Sequence, residues 1–491
     1  MKKATLFITL FFTFSAYGQP LKKPNVLFII SDDLTSTAIS AYENQACQTP
    51  NLDRLASSGI RYTRAYCQST FCGPSRASLM FGYYPNATRT YGYTSGRENA
   101  GTDKQTWAQL FKDNGYFTAR VSKIFHMGVP GDIEKGSNGQ DDEDSWIERY
   151  NSPGPEWKAE GDAELVQNNP YGLEPRRGGN VMTIVKADGD DLAHSDGRTA
   201  EKASELIRAH KDEPFFLAVG FVRPHVPFVA PRSYFEPYPY QQVVLPPQVI
   251  NDWDDIPARG INYVTSVNAH MSEEQEKKAV AAYYASVAYM DAQVGKVLST
   301  LKEEGLEDNT IVVFTSDHGF HLAEHRFWMK VSLHEESIRV PMIIKVPGKQ
   351  PGVCNSLVEL IDLYPTVADL AGLEYSEHLQ GESLAETIDN PEYSVRDAAF
   401  TMRGFPGRGH YAYLLRTSKW AFLQYDEDGA SGMELFDMEY DSKQYNNLAG
   451  NPRYAEVVAR FKEMLKAKLA EVRSNDLGID YTQEKSASSG K

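Results

Sequence analysis

Short runs of apolar residues recur along the chain, separated by longer segments in which apolar positions have a helical spacing. A continuous apolar run is typical of a strand that is buried on both faces of a parallel sheet, because neither face alternates with exposed polar residues. Runs of this kind predict the strands of one large sheet, at residues 25–30, 117–121, 215–219, 311–315 and 341–346.

Helical spacing between these runs predicts helices at residues 105–114, 273–304 and 357–370, each closely followed by a glycine that favours a helix end. The alternation of buried strands with helices is typical of α/β proteins. We therefore expect an α/β fold with a large mixed, mostly parallel sheet flanked by helices.

The strand–helix alternation weakens around residues 374–397, which predicts a boundary between two domains. Beyond it, the pattern predicts antiparallel strands at 411–423 and 433–436 and a closing helix at 452–472. The C-terminal part is therefore expected to form a smaller α+β subdomain.

Residues 128–195 are rich in Gly, Pro, Asp and Asn, and they predict a long irregular insertion near the mouth of a site. We place this insertion within a large domain at 24–385, followed by the C-terminal subdomain at 396–491. The polar tail after residue 479 is expected to be loose.

The first 18 residues have the features of a secretory signal peptide. A basic head precedes an apolar stretch at 4–16 that is too short to span a bilayer, and Ala16 and Gly18 supply small residues before a cleavage site. We expect cleavage before Gln19 and a mature protein that is periplasmic or secreted. No later stretch is apolar and long enough to predict a membrane span.

The formal net charge of −16 argues against general nucleic-acid binding, because an acidic protein repels phosphate backbones at long range. It is compatible with an anionic substrate held in a locally basic cleft. The four cysteines are Cys47, Cys67, Cys72 and Cys354, and their irregular spacing predicts neither a disulfide framework nor a zinc site.

Polar and charged residues collect just beyond the ends of four predicted strands. In open α/β sheets the carboxyl ends of the strands lie at the edge where ligands bind. We therefore expect the following residues to face a common site: Asp32, Asp33, Lys123, His126, His225, Asp317 and His318.

Three carboxylates at this edge, those of Asp32, Asp33 and Asp317, would repel one another unless a cation lay among them. Hard oxygen ligands suit Ca²⁺ or Mg²⁺. The alternative is that Asp33 caps a following helix while Asp32 pairs with an arginine.

A second alternative is a zinc ion held by His318, His321 and His325. The last two are four residues apart and would share one face of a helix. This interpretation leaves the aspartate pair unexplained.

Cys72 precedes Pro74, which favours the first turn of a helix, and Arg76, which adds a positive charge near the thiol. Such an environment is typical of an activated thiolate, as in a Cys–His protease. The alternative is a buried structural cysteine. Nearby carboxylates would raise the pKa of the thiol and disfavour the thiolate.

The segment CGPSR at 72–76 matches the Cys-x-Pro-Ser-Arg signature of the type I sulfatases, within the alkaline-phosphatase-like superfamily. The resemblance continues in NVLFIISDD at 25–33 and in FTSDHGFHLAEHRFWMK at 314–330. SKIFHMG at 122–128 and FVRPHVPF at 221–228 resemble the iduronate-2-sulfatase branch. The matching segments cover most of the chain in the family's order.

The resemblance implies that a separate maturation enzyme converts Cys72 to formylglycine. It also implies a Ca²⁺ ion held by Asp32, Asp33, Asp317, His318 and the modified residue 72. Many sulfatases have asparagine at the position of His318, whereas the iduronate-2-sulfatase branch has histidine there.

The same resemblance gives roles to the other polar residues. Arg76 would orient the hydrated formylglycine, and Lys123 and Lys330 would hold sulfate oxygens. His126 would accept a proton when sulfate is released, and His225 would protonate the departing sugar oxygen. These two histidines could exchange roles.

Further arginines and a histidine are weaker candidates. Arg97, Arg403 and Arg408 are candidates for contact with a uronate carboxylate of the substrate. Arg223 and His325 are candidates for supporting contacts around the site.

The resemblance implies an exported sulfatase that acts on a sulfated polysaccharide or its oligosaccharides. Glycosaminoglycans are one candidate class, and algal polymers such as ulvan, with rhamnose sulfate beside uronic acids, are another. A phosphodiesterase or phosphonate hydrolase of the same superfamily remains an alternative, as does a carbohydrate-binding relative without catalysis.

Overall fold

The computed structural model of the protein describes residues 23–169, 181–261, 270–405 and 409–481. The predicted signal peptide and the candidate Arg408 lie outside this part of the chain. Among the helices of the described residues, none has the length and apolar composition needed to cross a bilayer.

The strands of the described residues are β1 Asn25–Asp32, β2 Ile60–Tyr66, β3 Phe117–Ser122, β4 Glu148–Tyr150, β5 Gly161–Leu165, β6 Thr183–Ala187, β7 Phe215–Pro224, β8 Phe228–Pro231, β9 Thr310–Ser316, β10 His321–Leu322, β11 Trp328–Met329, β12 Arg339–Lys345, β13 Gly352–Glu359, β14 Ala398–Phe405, β15 His410–Thr417, β16 Trp420–Tyr425 and β17 Met433–Asp437.

The helices of the same part of the chain are α1 Pro50–Ser58, α2 Cys72–Phe81, α3 Pro85–Thr88, α4 Arg97–Ala100, α5 Trp107–Asp113, α6 Gly131–Lys135, α7 Ser195–Ala209, α8 Glu273–Glu303, α9 Glu335–Ile338, α10 Leu363–Ala371, α11 Ala385–Asp389 and α12 Ala455–Arg473.

Eight strands form the main sheet, in the order β13-β2-β12-β9-β1-β7-β3-β4. At its centre β1 pairs in parallel with both β7 and β9. Only β12 runs antiparallel to its two neighbours within this sheet. The sheet is therefore mixed and mostly parallel, which confirms the fold class that the apolar runs predict.

Both faces of the main sheet are covered, as successive residues of β1 demonstrate. Leu27 and Ile29 pack into a core that includes side chains of α1, α7 and α8, whereas Phe28 and Ile30 pack into a core with α2 and α5. Alternate side chains of a strand point to opposite faces, so a strand covered on both sides must be apolar at every position. Each such side chain stabilises the fold by about 1.5–3 kcal/mol relative to exposure.

The C-terminal part adds the antiparallel sheet β14-β15-β16-β17. On it lies α12, whose Phe461 ring stacks on Phe422 with the ring centres 5.4 Å apart. This sheet also contacts the site region, because the Met402 amide donates to the Gln68 carbonyl four residues before Cys72. The C-terminal antiparallel subdomain is thus present, while the exact domain bounds stay a prediction.

Two segments differ from the sequence prediction. The predicted helix at 357–370 begins only with α10, because Leu357 and Val358 belong to β13, which pairs with β2. A short apolar run does not distinguish a buried strand from a helix. The predicted irregular insertion at 128–195 contains α6, β4, β5 and β6. Its strands are short and partly exposed, so they lack the continuous apolar pattern of the central strands.

Candidate active site

Cys72 is the first residue of α2, a helix whose ten residues are all buried. The helix begins at the carboxyl edge of the main sheet, beside the ends of β1, β3, β7 and β9. A Cβ atom at Gly73 would collide with the carbonyl oxygen of Gly92, so only glycine lets these two segments pass so closely. The local sequence thus fixes the thiol at the edge where the polar residues collect.

Arg76, one turn along α2, connects the two strand ends that carry the aspartates. Its Nη2 lies 3.0 Å from Asp32 Oδ1, and its Nε lies 2.9 Å from Asp317 Oδ2. Its Nη1 donates to the carbonyl oxygens of Lys123 and Ile124, at 2.6 and 2.9 Å. The fully buried guanidinium therefore ties together the ends of β1, β3 and β9.

Two lysine ammonium groups complete the charge balance among the carboxylates. Lys330 Nζ lies 2.7 Å from Asp33 Oδ1 and 3.2 Å from Cys72 Sγ. Lys123 Nζ pairs with Asp32. Both ammonium groups therefore face the region around the thiol, where they would attract an anion.

His318 presents one ring nitrogen to the same point. Its Nδ1 lies 3.0 Å from the Gly319 carbonyl oxygen, which can only accept, so Nδ1 carries the proton. Its Nε2 lies 3.2 Å from Cys72 Sγ, 3.3 Å from Asp33 Oδ1 and 3.7 Å from Asp317 Oδ2. In the neutral ring this Nε2 is an acceptor that faces carboxylate oxygens.

The acceptors fit a bound divalent cation. Ligand atoms of Asp33, Cys72, Asp317 and His318 all lie within 4.8 Å of one another, and all four residues are buried. Lys330 Nζ and Arg76 Nε each donate to one carboxylate of this group, and a divalent cation would add attraction for all of the converging acceptors. Their oxygen-rich composition suits a hard ion, and the hydrogen bond at His318 Nδ1 orients the ring as is usual for a metal ligand.

His225 and His126 flank this cluster. His225 Nδ1 donates to the Val226 carbonyl oxygen, so that Nε2 is left 3.7 Å from Asp33 Oδ2. His126 stacks on Tyr93 with the ring centres 4.0 Å apart. The Tyr93 side chain is 52% exposed, which places the His126 stack at the solvent side of the cluster.

Burial and charge together shift the pKa values of these groups. Burial favours a raised pKa for Asp32, but the charges of Lys123 and Arg76 outweigh it and hold the pKa well below its usual range. Burial raises the pKa of the Asp33 carboxyl and, strongly, that of the Cys72 thiol. A thiol of this kind is protonated near neutral pH, which argues against the activated thiolate of a Cys–His protease.

The two histidines are held neutral. Burial, reinforced by the charge of Lys330, lowers the pKa of His225 well below its ordinary value. Burial, reinforced by Lys123, lowers the pKa of His126 to about 2. Burial alone would lower the pKa of Lys330, but the carboxylate charges of Asp33 and Asp32 outweigh it and raise that pKa. The site thus combines cationic lysines with neutral imidazoles.

Comparison with known proteins identifies the family of the chain. A family model described as Sulfatase matches residues 24–373, and one described as N-sulphoglucosamine sulphohydrolase, C-terminal, matches residues 323–472. A protein of Formosa agariphila named Sulfatase is 30% identical over 459 residues, which cover 91% of this chain and 87% of that protein. The chain belongs to the sulfatase family. It is therefore a sulfuric ester hydrolase, as the sequence resemblance implies.

Other relatives of this sulfatase carry more specific names. The iduronate 2-sulfatase of Mus musculus is 33% identical over 394 residues, covering 71% of this chain and 69% of that protein. The Ulvan-active sulfatase of Formosa agariphila is 28% identical over 485 residues, covering 94% and 84%.

Solved structures share the fold of this sulfatase. A 2-O GAG sulfatase superposes with a TM-score of 0.70 at 24% identity, covering 92% of this chain and 93% of that one. The phosphonate monoester hydrolase of Agrobacterium radiobacter superposes with a TM-score of 0.74 at 22% identity, covering 91% and 96%. At these identities the likeness shows a common fold.

The zinc alternative for this sulfatase is wrong. His321 lies in the short strand β10, and His325 lies in a turn with a φ of 56°, so the two do not share a helix face. Among the described residues, His318 converges with carboxylates and Cys72, and neither of the other histidines joins that group. His325 Nδ1 instead lies 2.9 Å from Asp252 Oδ2.

The interpretation that Asp32 pairs with an arginine is correct and does not exclude a metal site. Asp32 pairs with Arg76 while its neighbour Asp33 faces His318. Asp33 has a φ of 63° and does not cap the next turn, which the Thr35 side chain caps instead.

The arginines proposed to meet a uronate have protein partners in this sulfatase. Arg97 Nη2 lies 2.8 Å from Asp142 Oδ2, and its guanidinium lies over the Phe81 ring. Arg403 donates to the carbonyl oxygens of Val331 and Arg259. These contacts explain both side chains without a substrate.

Several residues that support the site escape the sequence analysis. Ser75 Oγ donates to the Asp317 carbonyl oxygen at 2.5 Å, and Tyr283 OH donates to that of Asp33 at 2.6 Å. Ser75 lies inside the CGPSR segment and could have been found there. Nothing in the sequence around Tyr283 or Glu156, a buried partner of Arg223, signals a link to the site.

Proposed function

We propose that this sulfatase hydrolyses sulfate esters of a sulfated polysaccharide, or of oligosaccharides derived from it, with a formylglycine made from Cys72. The position of the thiol carries the proposal, since Cys72 Sγ lies 3.2 Å from both Lys330 Nζ and His318 Nε2. The sulfur marks the place where an oxygen of hydrated formylglycine would lie. A buried thiol with a raised pKa is a poor nucleophile, so this position suits a modified residue better.

The chemistry needs groups that the bare chain lacks. With formylglycine at position 72 and Ca²⁺ held by Asp33, Asp317 and His318, with Asp32 beside them, the hydrated aldehyde would supply an oxygen nucleophile whose ionised form the cation would favour.

The chain's own residues bind and orient the sulfate group. Lys123 and Lys330 place two ammonium groups beside residue 72, where they attract sulfate oxygens and stabilise charge as it moves during reaction. Arg76 holds Asp32 and Asp317 apart at fixed distances, so it positions the acceptors around the nucleophile. All three cations are buried, which strengthens their effect on an anion.

His225 and His126 are the side chains that would transfer protons during the reaction. His225 Nε2 faces the cluster. In the neutral ring Nδ1 carries the proton, so Nε2 must first take up a proton, which the negative charge of a bound sulfate ester would favour, before it gives that proton to the departing sugar oxygen. His126 is neutral near physiological pH and can accept the proton that leaves when sulfate is released. Each such transfer typically contributes about 10²–10⁴-fold to the rate.

The substrate class rests on relatives. Their names refer to iduronate, to ulvan and, in one solved structure, to a 2-O GAG sulfatase. Iduronate is a uronic acid, and glycosaminoglycans and ulvan are sulfated polymers that contain uronic acids, so we propose a glycosaminoglycan or an algal polymer such as ulvan as the substrate. We further propose export after signal-peptide cleavage and conversion of Cys72 by a separate maturation enzyme.

A second candidate is hydrolysis of a phosphate diester or phosphonate ester. The fold shared with a phosphonate monoester hydrolase favours it, at a TM-score of 0.74. A protein that binds sulfated glycans without cleaving them is a third candidate, and the complete set of cationic and imidazole side chains around Cys72 argues against it.

The test is a panel of sulfated oligosaccharides incubated with matured, Ca²⁺-loaded protein, with the desulfated position mapped by NMR. We expect sulfate release from at least one uronate-containing oligosaccharide, at a higher kcat/KM than for bis(4-nitrophenyl) phosphate. Faster turnover of the phosphate diester would favour the second candidate. Glycan binding that Cys72→Ala leaves intact, without sulfate release by either protein, would favour the third.

A further inference from the structure

The ring of His225 depends for its position on the short segment that follows β7. Nδ1 donates to the carbonyl of the next residue, Val226, so that only Nε2 can serve the site. Nε2 lies 3.7 Å from Asp33 Oδ2. Any rotation of the backbone at 222–227 would therefore move the one useful nitrogen away from the cluster.

The Arg223 side chain donates hydrogen bonds to the backbone of this segment. Its Nη1 donates to the carbonyl oxygen of His225 itself, at 2.8 Å, and to that of Pro227. Its Nη2 pairs with a carboxylate oxygen of Glu156. The side chains of Arg223 and Glu156 are only 1% and 2% exposed, so their ion pair is shielded from water and from salt.

Glu156 is itself held in an uncommon conformation. Its φ is 48°, in the left-handed region that residues other than glycine seldom adopt. Its second oxygen accepts from Ser195 Oγ at 3.0 Å, at the start of α7. Such strain persists where surrounding contacts fix the residue, and it is concentrated at functional sites.

The backbone at the base of the segment is fixed as well. The amides of Val222 and Arg223 each donate to one carboxylate oxygen of Asp196, both at 2.9 Å. Ser31 Oγ, next to Asp32, donates to the Arg223 carbonyl oxygen at 2.7 Å. These hydrogen bonds and the Arg223–Glu156 ion pair thus connect the carboxyl ends of β1 and β7 to the insertion that contains Glu156.

We infer that Glu156 is a positioning residue for sulfate-ester hydrolysis, which acts through Arg223 to hold His225 Nε2 against the reacting centre. The inference rests on the proposed role of His225 as proton donor. Removing one partner of a buried ion pair leaves an uncompensated charge, so Glu156→Gln frees the guanidinium to seek other partners and to release the two carbonyl oxygens.

A series of substituted phenyl sulfates tests this role, because proton donation matters more as the phenol becomes a poorer leaving group. For Glu156→Gln we expect a loss of about 3-fold with the most acidic phenol and about 30-fold or more with the least acidic one. His225→Asn should show the same dependence with a larger amplitude.

The matched control is Glu359→Gln, which breaks another buried arginine pair, with Arg396 Nη1 at 2.7 Å from Glu359 Oε2. Its effect on the phenyl sulfates should be uniform along the series. If Glu156→Gln does not fold, Glu156→Asp and Arg223→Lys serve in its place, since both keep the charges while changing the reach.

Amide hydrogen exchange of the peptide spanning 215–228 supplies a readout that does not depend on activity. Glu156→Gln should accelerate exchange at 222–227 relative to wild type, whereas Glu359→Gln should not. An equal loss of rate along the whole series, or unchanged exchange, would overturn the inference. A different result would separate the two proposals. If the loss of rate in His225→Asn does not depend on the leaving group, while Glu156→Gln accelerates exchange at 222–227, then His225 is not the proton donor, but Glu156 and Arg223 still hold this backbone segment.

Discussion

His318 Nε2 lies 3.2 Å from the sulfur of Cys72, while Nδ1 of the same ring lies 3.0 Å from the Gly319 carbonyl oxygen. The two residues come from different elements, His318 from the end of β9 and Cys72 from the start of α2. Their contact joins the candidate cation ligands to the candidate nucleophile. A change at either residue should therefore affect both ion binding and turnover.

His318→Ala removes the ring nitrogen that faces Asp33 and Asp317 and supplies no other ligand atom in its place. We expect Ca²⁺ affinity to fall about 10-fold or more, because even the groups that orient metal ligands contribute about 10–100-fold. A bound ion stabilises the folded state in proportion to its occupancy. The Ca²⁺ concentration that half-saturates the rise in Tm measures the change, and an unaltered half-saturation would contradict the assignment.

Arg76→Lys cannot span Asp32 and Asp317 while donating to two carbonyl oxygens. Because buried carboxylates would lose a partner, we expect the free energy of unfolding to fall by about 3 kcal/mol. Urea unfolding measures it. Arg232→Lys is the control, since its pairs with Asp162 and Asp188 are exposed and screened by solvent, so this substitution should leave the free energy of unfolding nearly unchanged. Equal effects of the two substitutions would argue against a central role for Arg76.

Lys330→Met removes the ammonium group that lies between Asp33 and Cys72. We expect kcat for sulfate esters to fall about 10²–10³-fold, the usual loss when a preorganised electrostatic contact to the transition state is removed. Lys443→Met, at a lysine that is 59% exposed and 3.8 Å from Glu336, should leave kcat unchanged. A loss expressed only in KM would show that Lys330 binds the substrate without stabilising the transition state.

Tyr93→Ala should change the acid side of the pH profile. Burial, reinforced by Lys123, lowers the pKa of His126 to about 2, so the ring stays ready to accept a proton as the pH falls. Without the stacked Tyr93 ring the imidazole is exposed, and its pKa rises towards the ordinary value of about 6.5. A base must be unprotonated to accept a proton. The kcat of Tyr93→Ala should therefore decrease as the pH is lowered through about 6.5, whereas the kcat of Tyr93→Phe should follow that of the wild type. Superimposable profiles for all three proteins would contradict the role of His126.

The site could be predicted from the sequence because its residues lie in short, ordered segments at strand ends. Asp32, Asp33 and Asp317 follow continuous apolar runs, and such runs end at the ligand-binding edge of a parallel sheet. The CGPSR segment adds Cys72 and Arg76. The structure brings these residues together as expected, although their roles in catalysis remain predictions.

The features that could not be predicted from the sequence depend on contacts between residues that are far apart in the chain. Glu156 approaches Arg223 across 67 positions of the chain, from a segment whose strands are too short and too polar to be recognised. The beginning of the helix predicted at 357–370 is wrong for a similar reason, since Leu357 and Val358 belong to β13, which is identified only by its pairing with β2. Pairing between remote segments leaves no local periodicity to read.

Sulfate release is compared with the modification state of residue 72, because the proposed formylglycine nucleophile exists only where Cys72 has been converted. Preparations matured to different extents are quantified by mass spectrometry of the peptide that contains residue 72, and inorganic sulfate released from one sulfated oligosaccharide is measured in the presence of Ca²⁺. We predict that the rate of sulfate release rises in proportion to the fraction of Cys72 converted to formylglycine and vanishes for Cys72→Ala. Equal rates of sulfate release from protein that retains the Cys72 thiol and from fully converted protein would show that formylglycine is not the nucleophile.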